Sequence, residues 1–312
     1  MRAFIFPGQG SQSVGMGAAL AEASEAARDV FGEVDEALGQ NLFRLMREGP
    51  DEELRLTANA QPAIMAHSLA VFRALTREGG LDLRAKANFV AGHSLGEYSA
   101  LCAAGAFDLS TTARLLKLRG EAMQAAVPVG QGAMAALLGT DLAMARRIAE
   151  VAAEGEICSV ANDNDPSQVV LSGNKGAIDR AIAVAREMGA KRAVALPVSA
   201  PFHCSLMQPA AEAMRDALGY VVIQQPAVPV FANVTAAPEE DPDAIRNLLV
   251  DQVTGMVRWR ESVANMVDAG VEEFVELGGK VLGPMVKRIA PDAKVASVVT
   301  IEDIEALAKE IA

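Results

Sequence analysis

Residues 87 to 104 read ANFVAGHSLGEYSALCAA, and this run decides how the rest of the chain is read. Ala87 to Ala91 has the character of a short buried strand, and Glu97 to Ala104 that of a helix ended by Gly105. Between them stands Gly92-His93-Ser94-Leu95-Gly96, a G-x-S-x-G elbow centred on Ser94. Strand, sharp turn and helix together are the context in which such a serine acts as a nucleophile. Glycines at both ends let the backbone fold back on itself. The helix start behind the serine offers free N–H groups and a partial positive charge, the parts needed to hold an oxyanion.

Outward from the elbow, strands and helices alternate. Arg2 to Phe6 reads as a buried first strand that runs into the glycine-rich turn Pro7-Gly8-Gln9-Gly10-Ser11-Gln12. That turn lacks the Gly-Lys-Ser/Thr ending of a P-loop, so it is either a plain tight loop or one whose N–H groups face a ligand at a strand end. Residues 16–38 and 62–77 have helical periodicity, and Asp108 or Ser110 suits the start of a helix running to about Ala125. Later strands are expected at 228–232, 273–276 and 294–298. The pattern predicts an α/β fold with a largely parallel sheet covered on both faces.

Residues 128–197 differ. Strands at 133–138, 158–161, 168–171 and 192–196 and helices at 142–153 and 175–188 follow the order β-α-β-β-α-β, with a turn at Asn162-Asp163-Asn164-Asp165-Pro166. That is the ferredoxin-like split unit. We read a large subdomain from residues 1–127 and 198–312, interrupted by a small one at 128–197.

Composition excludes several classes. The chain of 312 residues is 51% hydrophobic and 22% charged, an ordinary globular mixture. Its formal net charge of −12 argues against nucleic acid and against an anionic membrane surface. No apolar run reaches the ~20 residues of a membrane span, and the apolar start before Pro7 is too short for a signal peptide. Cys102, Cys158 and Cys204 have no metal-ligand spacing, which favours a reducing, cytoplasmic setting.

A serine nucleophile needs a base, and the chain has three histidines. His67 falls in a largely apolar helix and reads as a core residue. His93 adjoins Ser94, but strand neighbours point to opposite faces, so it reads as a pocket-lining residue. His203, after Pro197-Val198-Ser199-Ala200-Pro201-Phe202, is the candidate base. The group that orients it is open at this level: Glu276 is one candidate, a backbone carbonyl another.

The motifs Pro7–Gln12, Gly92–Tyr98, Arg119-Gly120, Ala200–His203, Asn233-Val234-Thr235 and Glu276-Leu277-Gly278, in this order, resemble the malonyl-coenzyme A:acyl carrier protein transacylases of bacterial fatty-acid synthesis. They are also similar to the acyltransferase domains of polyketide synthases. The resemblance covers residues 1 to about 290 and implies an α/β-hydrolase-like large subdomain with a ferredoxin-like insert. It implies Ser94 as nucleophile, His203 as base, and the backbone N–H groups of Gln9 and Leu95 as oxyanion hole. It implies that a main-chain carbonyl near Gln252 orients the histidine, and that Arg119 binds the malonate carboxylate. Physically, a bidentate guanidinium suits a carboxylate that must enter a mostly apolar pocket. Met123 on the same helix, His93 and the bulky Phe202 complete the expected substrate contacts.

The expected reaction is ping-pong transfer of malonyl from malonyl-coenzyme A to acyl carrier protein, without metal or redox cofactor. An acyl hydrolase using the same elbow and a non-catalytic carrier-protein docking subunit are the competing readings. Lys191, Arg192, Lys280, Lys287 and Arg288 are the basic residues expected to meet an acidic carrier protein.

Overall fold

The computed structural model describes residues 1–198 and 200–311; Ser199, in the segment leading to His203, and Ala312 lie outside the described residues. Among the described residues ten strands form two sheets: β1 Arg2–Phe6, β2 Phe89–Gly92, β3 Gly132–Leu138, β4 Cys158–Asp165, β5 Gln168–Asn174, β6 Arg192–Ala195, β7 Val230–Ala232, β8 Ala237–Glu239, β9 Glu273–Leu277 and β10 Lys294–Val298. The larger sheet has the order β10-β9-β1-β2-β7-β8 and is parallel apart from the edge pair of β7 and β8. β1 lies between β9 and β2, and its residues Ala3 to Phe6 are fully buried. Such a strand must be apolar on both faces, which is why it reads as a continuous hydrophobic run.

The smaller sheet is antiparallel throughout, in the order β4-β5-β3-β6. Its strands alternate in burial partner, as a period of two requires. Ala135 and Leu137 face the helices Leu142–Ala153 and Lys175–Glu187, whereas Met134 and Ala136 belong to the main core. The ferredoxin-like unit thus turns one face to its own helices and the other to the large subdomain.

Two local expectations change. The helix expected over 16–38 is two helices, Ala18–Ala23 and Glu25–Leu38, broken at Ser24. Ser24 is extended (φ −124°, ψ 125°), its Oγ accepts the Ala27 N–H at 3.0 Å, and it donates to Glu78 Oε1 at 3.0 Å. A capping serine begins a new helix here rather than continuing the old one. The run Asn162 to Asp165 is not a turn but the end of β4. Two of its carboxylates pair with the large subdomain, Asp163 with Arg260 at 2.8 Å and Asp165 with Arg288 at 2.8 Å, while Asp165 Oδ1 also accepts Ser167 N at 2.8 Å in the two-residue turn at Pro166-Ser167 that follows. The backbone there bonds Val257 on both sides, Asp163 N to Val257 O at 3.0 Å and Val257 N to Ala161 O at 2.8 Å. Tertiary partners override the turn propensity of Asn and Asp.

Candidate functional site

β2 ends at Gly92 and the helix Leu95–Ala103 begins three residues later. Ser94 makes the bend with φ 55° and ψ −113°, a conformation that costs a non-glycine residue about 1–3 kcal/mol. The surroundings hold it there. Its N–H donates to Asn233 Oδ1 at 2.8 Å and its carbonyl accepts Gln252 Nε2 at 3.0 Å. The two flanking glycines are required by contact. A Cβ on Gly92 would lie 1.9 Å from the Gly96 carbonyl carbon, and one on Gly96 would lie 2.2 Å from Phe6 O.

Ser94 Oγ is 2.8 Å from His203 Nε2. His203 Nδ1 is 2.9 Å from the main-chain oxygen of Gln252. A carbonyl only accepts, so Nδ1 carries the proton and Nε2 presents its lone pair to the serine hydroxyl. Burial, reinforced by the Arg119 charge, pushes the imidazole pKa down to about 3. The ring is therefore neutral near pH 7 and able to take a proton from Ser94. Of the two candidate orienting groups, the carbonyl is in place and Glu276 is not. The Glu276 carboxylate accepts the N–H groups of Val281, Leu282 and Gly283 at 2.8–2.9 Å and caps the helix Leu282–Ile289. An anion is stabilised at such a helix start, which gives this buried acid a different task. His67 is a core residue: Nδ1 sits 3.2 Å from Gly278 O, and burial lowers its pKa to about 4.

Arg119 is 1% exposed and reaches inward from the helix Leu109–Ala125. It does not lie along the surface. Nη1 donates to Gln61 Oε1 at 2.8 Å; Nη2 donates to Gln252 Oε1 at 2.9 Å and to Ser94 Oγ at 3.2 Å. Its guanidinium carbon sits 5.7 Å from the centre of the Tyr98 ring. The Nε–H is buried and makes no hydrogen bond among the described residues; Nη1 commits one of its two protons, to Gln61, which leaves the other for an incoming carboxylate.

A cavity of about 280 Å³ opens over these groups. Met123, Met134 and Phe202 supply apolar wall, and Gln9, Leu95 and His93 border it. Leu95 is the first residue of its helix, so its N–H has no acceptor within that helix. His93 Nε2 lies 2.8 Å from Asn164 Oδ1, which ties the elbow to β4 of the smaller sheet. All nine residues expected at the site are brought together here: eight line the cavity, and Gln252 stands directly behind Ser94 and Arg119.

The structure adds residues to which no task was given from sequence. Gln61 and the Gln252 side chain flank Arg119. Asn233 bonds Ser94 N and, at 2.7 Å, Gly92 O. Glu97, 2% exposed, accepts Gln252 Nε2 at 2.8 Å and Asn233 N at 3.1 Å on the same oxygen. Burial raises the Glu97 carboxyl to about 7 against the pull of these bonds and of Arg119. An acidic residue in an otherwise apolar helix was the sequence signal for it. Among the expected docking residues, Arg288 is held by Asp165, and Lys287 Nζ donates to Pro291 O at 3.1 Å. Lys191, Arg192 and Lys280 are exposed.

This chain matches the acyl transferase domain family over residues 3–284. It is 46% identical over 288 residues to the malonyl CoA-acyl carrier protein transacylase of Escherichia coli K12, covering 92% of both chains. It superimposes on the acyl-carrier-protein-S-malonyltransferase of Bartonella henselae with a TM-score of 0.97, at 54% identity over 99% of each chain. A malonyl-transacylase solved in complex with its type II PKS acyl-carrier protein is similarly close, with a TM-score of 0.95 at 41% identity over 99% of each chain. Family match, near full-length identity and common fold agree, and the chain belongs to the malonyl CoA-acyl carrier protein transacylase family.

Proposed function

We propose that this enzyme moves the malonyl group from malonyl-coenzyme A to the phosphopantetheine thiol of acyl carrier protein, through a malonyl ester of Ser94, to supply fatty-acid synthesis. One observation carries the reading. Ser94 Oγ lies 2.8 Å from a neutral, correctly oriented imidazole and 3.2 Å from a buried guanidinium. Nucleophile, base and carboxylate partner converge on one point.

In the first half-reaction the Ser94 proton passes to His203 Nε2 as Oγ bonds to the thioester carbon. The N–H groups of Gln9 and Leu95 stabilise the oxyanion, and Gln252 O stabilises the imidazolium through Nδ1–H. The carbon–sulfur bond breaks and coenzyme A leaves with the proton from Nε2. In the second half the carrier thiol gives its proton to Nε2, sulfur attacks the ester carbon, and Ser94 Oγ departs and regains a proton from Nε2. Throughout, Arg119 holds the free malonyl carboxylate while Met123, Phe202 and His93 bound the acyl group.

Residues 1–127 with 198–312 form the catalytic subdomain in this reading, and 128–197 the small subdomain that closes the cavity; Met134 on β3 and Asn164 beside His93 support that division. We place the enzyme in the cytoplasm, in keeping with its three free cysteines. No helix among the described residues is long and apolar enough to cross a membrane.

The test is to malonylate the enzyme, remove free thioester, and follow the adduct by intact mass. Discharge on adding holo-acyl carrier protein, with persistence for minutes in buffer alone, is the expected outcome. Release of free malonate at one rate in both would make the protein a thioesterase.

A further inference from the structure

We propose that Glu97 is a positioning residue that fixes the pose of Arg119 through the side-chain amide of Gln252, and so sets the preference for an acyl group ending in a carboxylate. The proposal rests on reading Arg119 as the malonate partner.

An amide side chain has one accepting end and one donating end, and its two flips interchange them. Gln252 Oε1 faces Arg119 Nη2 at 2.9 Å, and Gln252 Nε2 faces Glu97 Oε2 at 2.8 Å. Guanidinium only donates and carboxylate only accepts. The flipped amide would set donor against donor at Arg119 and acceptor against acceptor at Ser94 O and at an ionised Glu97. The three groups therefore have one mutually satisfied arrangement. Deep burial raises the cost of leaving any of them unpaired: Glu97 is 2% exposed, Arg119 1% and Gln252 0%.

Glu97 also refers this arrangement to the nucleophile. It lies on the helix that begins directly after Ser94. The oxygen that receives Gln252 also receives Asn233 N at 3.1 Å, and the Asn233 side chain bonds Ser94 N and Gly92 O. The elbow has these Asn233 contacts of its own, whereas among the described residues the Glu97 and Arg119 side chains share one hydrogen-bonding side chain, that of Gln252. In malonyl a single methylene separates the reacting carbonyl from the carboxylate. Arg119 must then sit in register with Ser94 Oγ, and a displacement of about 1 Å costs up to 100-fold. Acetyl has no carboxylate and does not read that register.

The experiment measures kcat/KM for Ser94 acylation by malonyl- and acetyl-coenzyme A and takes their ratio, with thermal unfolding as a check on folding. Glu97→Asp keeps the charge but withdraws it by one methylene; Glu97→Gln loses the charge but keeps an oxygen for both N–H groups. The ratio is expected to fall about tenfold in Glu97→Asp, with acetyl transfer within about threefold, to fall in Gln252→Leu as well, and to stay near wild type in Glu97→Gln. A low ratio in Glu97→Gln with a normal one in Glu97→Asp would mean that charge acts rather than placement, and would overturn the proposal. So would an equal loss of both substrates in every folded variant. Arg119→Ala separates the two levels: an unchanged ratio there overturns the Arg119 reading itself. A lowered ratio there with normal ratios in Glu97→Asp and Gln252→Leu overturns the Glu97 proposal alone.

Discussion

Ser94 Oγ and His203 Nε2 stand 2.8 Å apart although 109 residues of chain separate them, with the whole smaller sheet between. The contact depends on two residues held at positive φ, 55° at Ser94 and 57° at His203. Ser94→Ala is expected to abolish the acyl adduct. His203→Ala is expected to slow its formation by about 10²–10⁴, the usual loss with a general base. Stopped-flow release of coenzyme A checks both; acylation of His203→Ala at the wild-type rate would remove it from the role.

The depressed His203 pKa carries a pH prediction. A free histidine would lose its basic form below about 6.5, but here the neutral ring persists down towards 3. The kcat/KM for malonyl-coenzyme A is thus expected to show no acid limb near pH 6.5. A loss of one proton's worth of activity centred there would contradict the buried, neutral imidazole.

Acid stability follows the same physics with a checkable sign. His67 and His203 bind protons less readily folded than unfolded, so their contribution is lost as pH falls from about 6.5, towards about 4 for His67 and about 3 for His203. Glu97 opposes them, since its raised pKa favours the folded state as pH falls from 7 towards 4.5. Replacing His67 by Gln is expected to recover on the order of 2 kcal/mol at pH 5 relative to pH 7. Urea unfolding at the two pH values measures it, and an unchanged difference would argue against a neutral core histidine.

Arg119→Ala is expected to lose malonyl transfer at least about 100-fold while acetyl transfer changes far less, because a buried carboxylate left unpaired costs several kcal/mol. The ratio of the two kcat/KM values is the readout.

Carrier-protein docking is expected to use local basic charge against a net charge of −12. Reversing Lys191 and Arg192, both exposed, is expected to raise the KM for carrier protein and flatten its salt dependence. Reversing Arg288 is expected to lower stability first, because its partner Asp165 has a fully buried side chain. Equal KM values at low salt would remove Lys191 and Arg192 from the docking surface.

The elbow, the parallel sheet and the split unit were legible because each is written in local pattern: a glycine-flanked serine, continuous apolar strands, a period of two. His203 was reached by eliminating the other histidines, and Arg119 by a family resemblance. What sequence left open was the polar scaffold. Nothing local distinguishes Gln252 O from Glu276 as the partner of His203, since that choice is made by helices distant in the chain. The end of β4 was misread for a related reason: Asn and Asp signal a turn unless tertiary partners such as Arg260 wait for them.

That end of β4 bears on how such enzymes can be recombined. Asp163, Asn164 and Asp165 reach Arg260, His93 and Arg288, three residues encoded outside the insert. A transplanted insert lacking those matching partners would bury two orphaned carboxylates and loosen His93 beside the nucleophile. The inserted unit is contiguous in the gene but not separable in the protein, and a viable chimaera has to carry both halves of the seam.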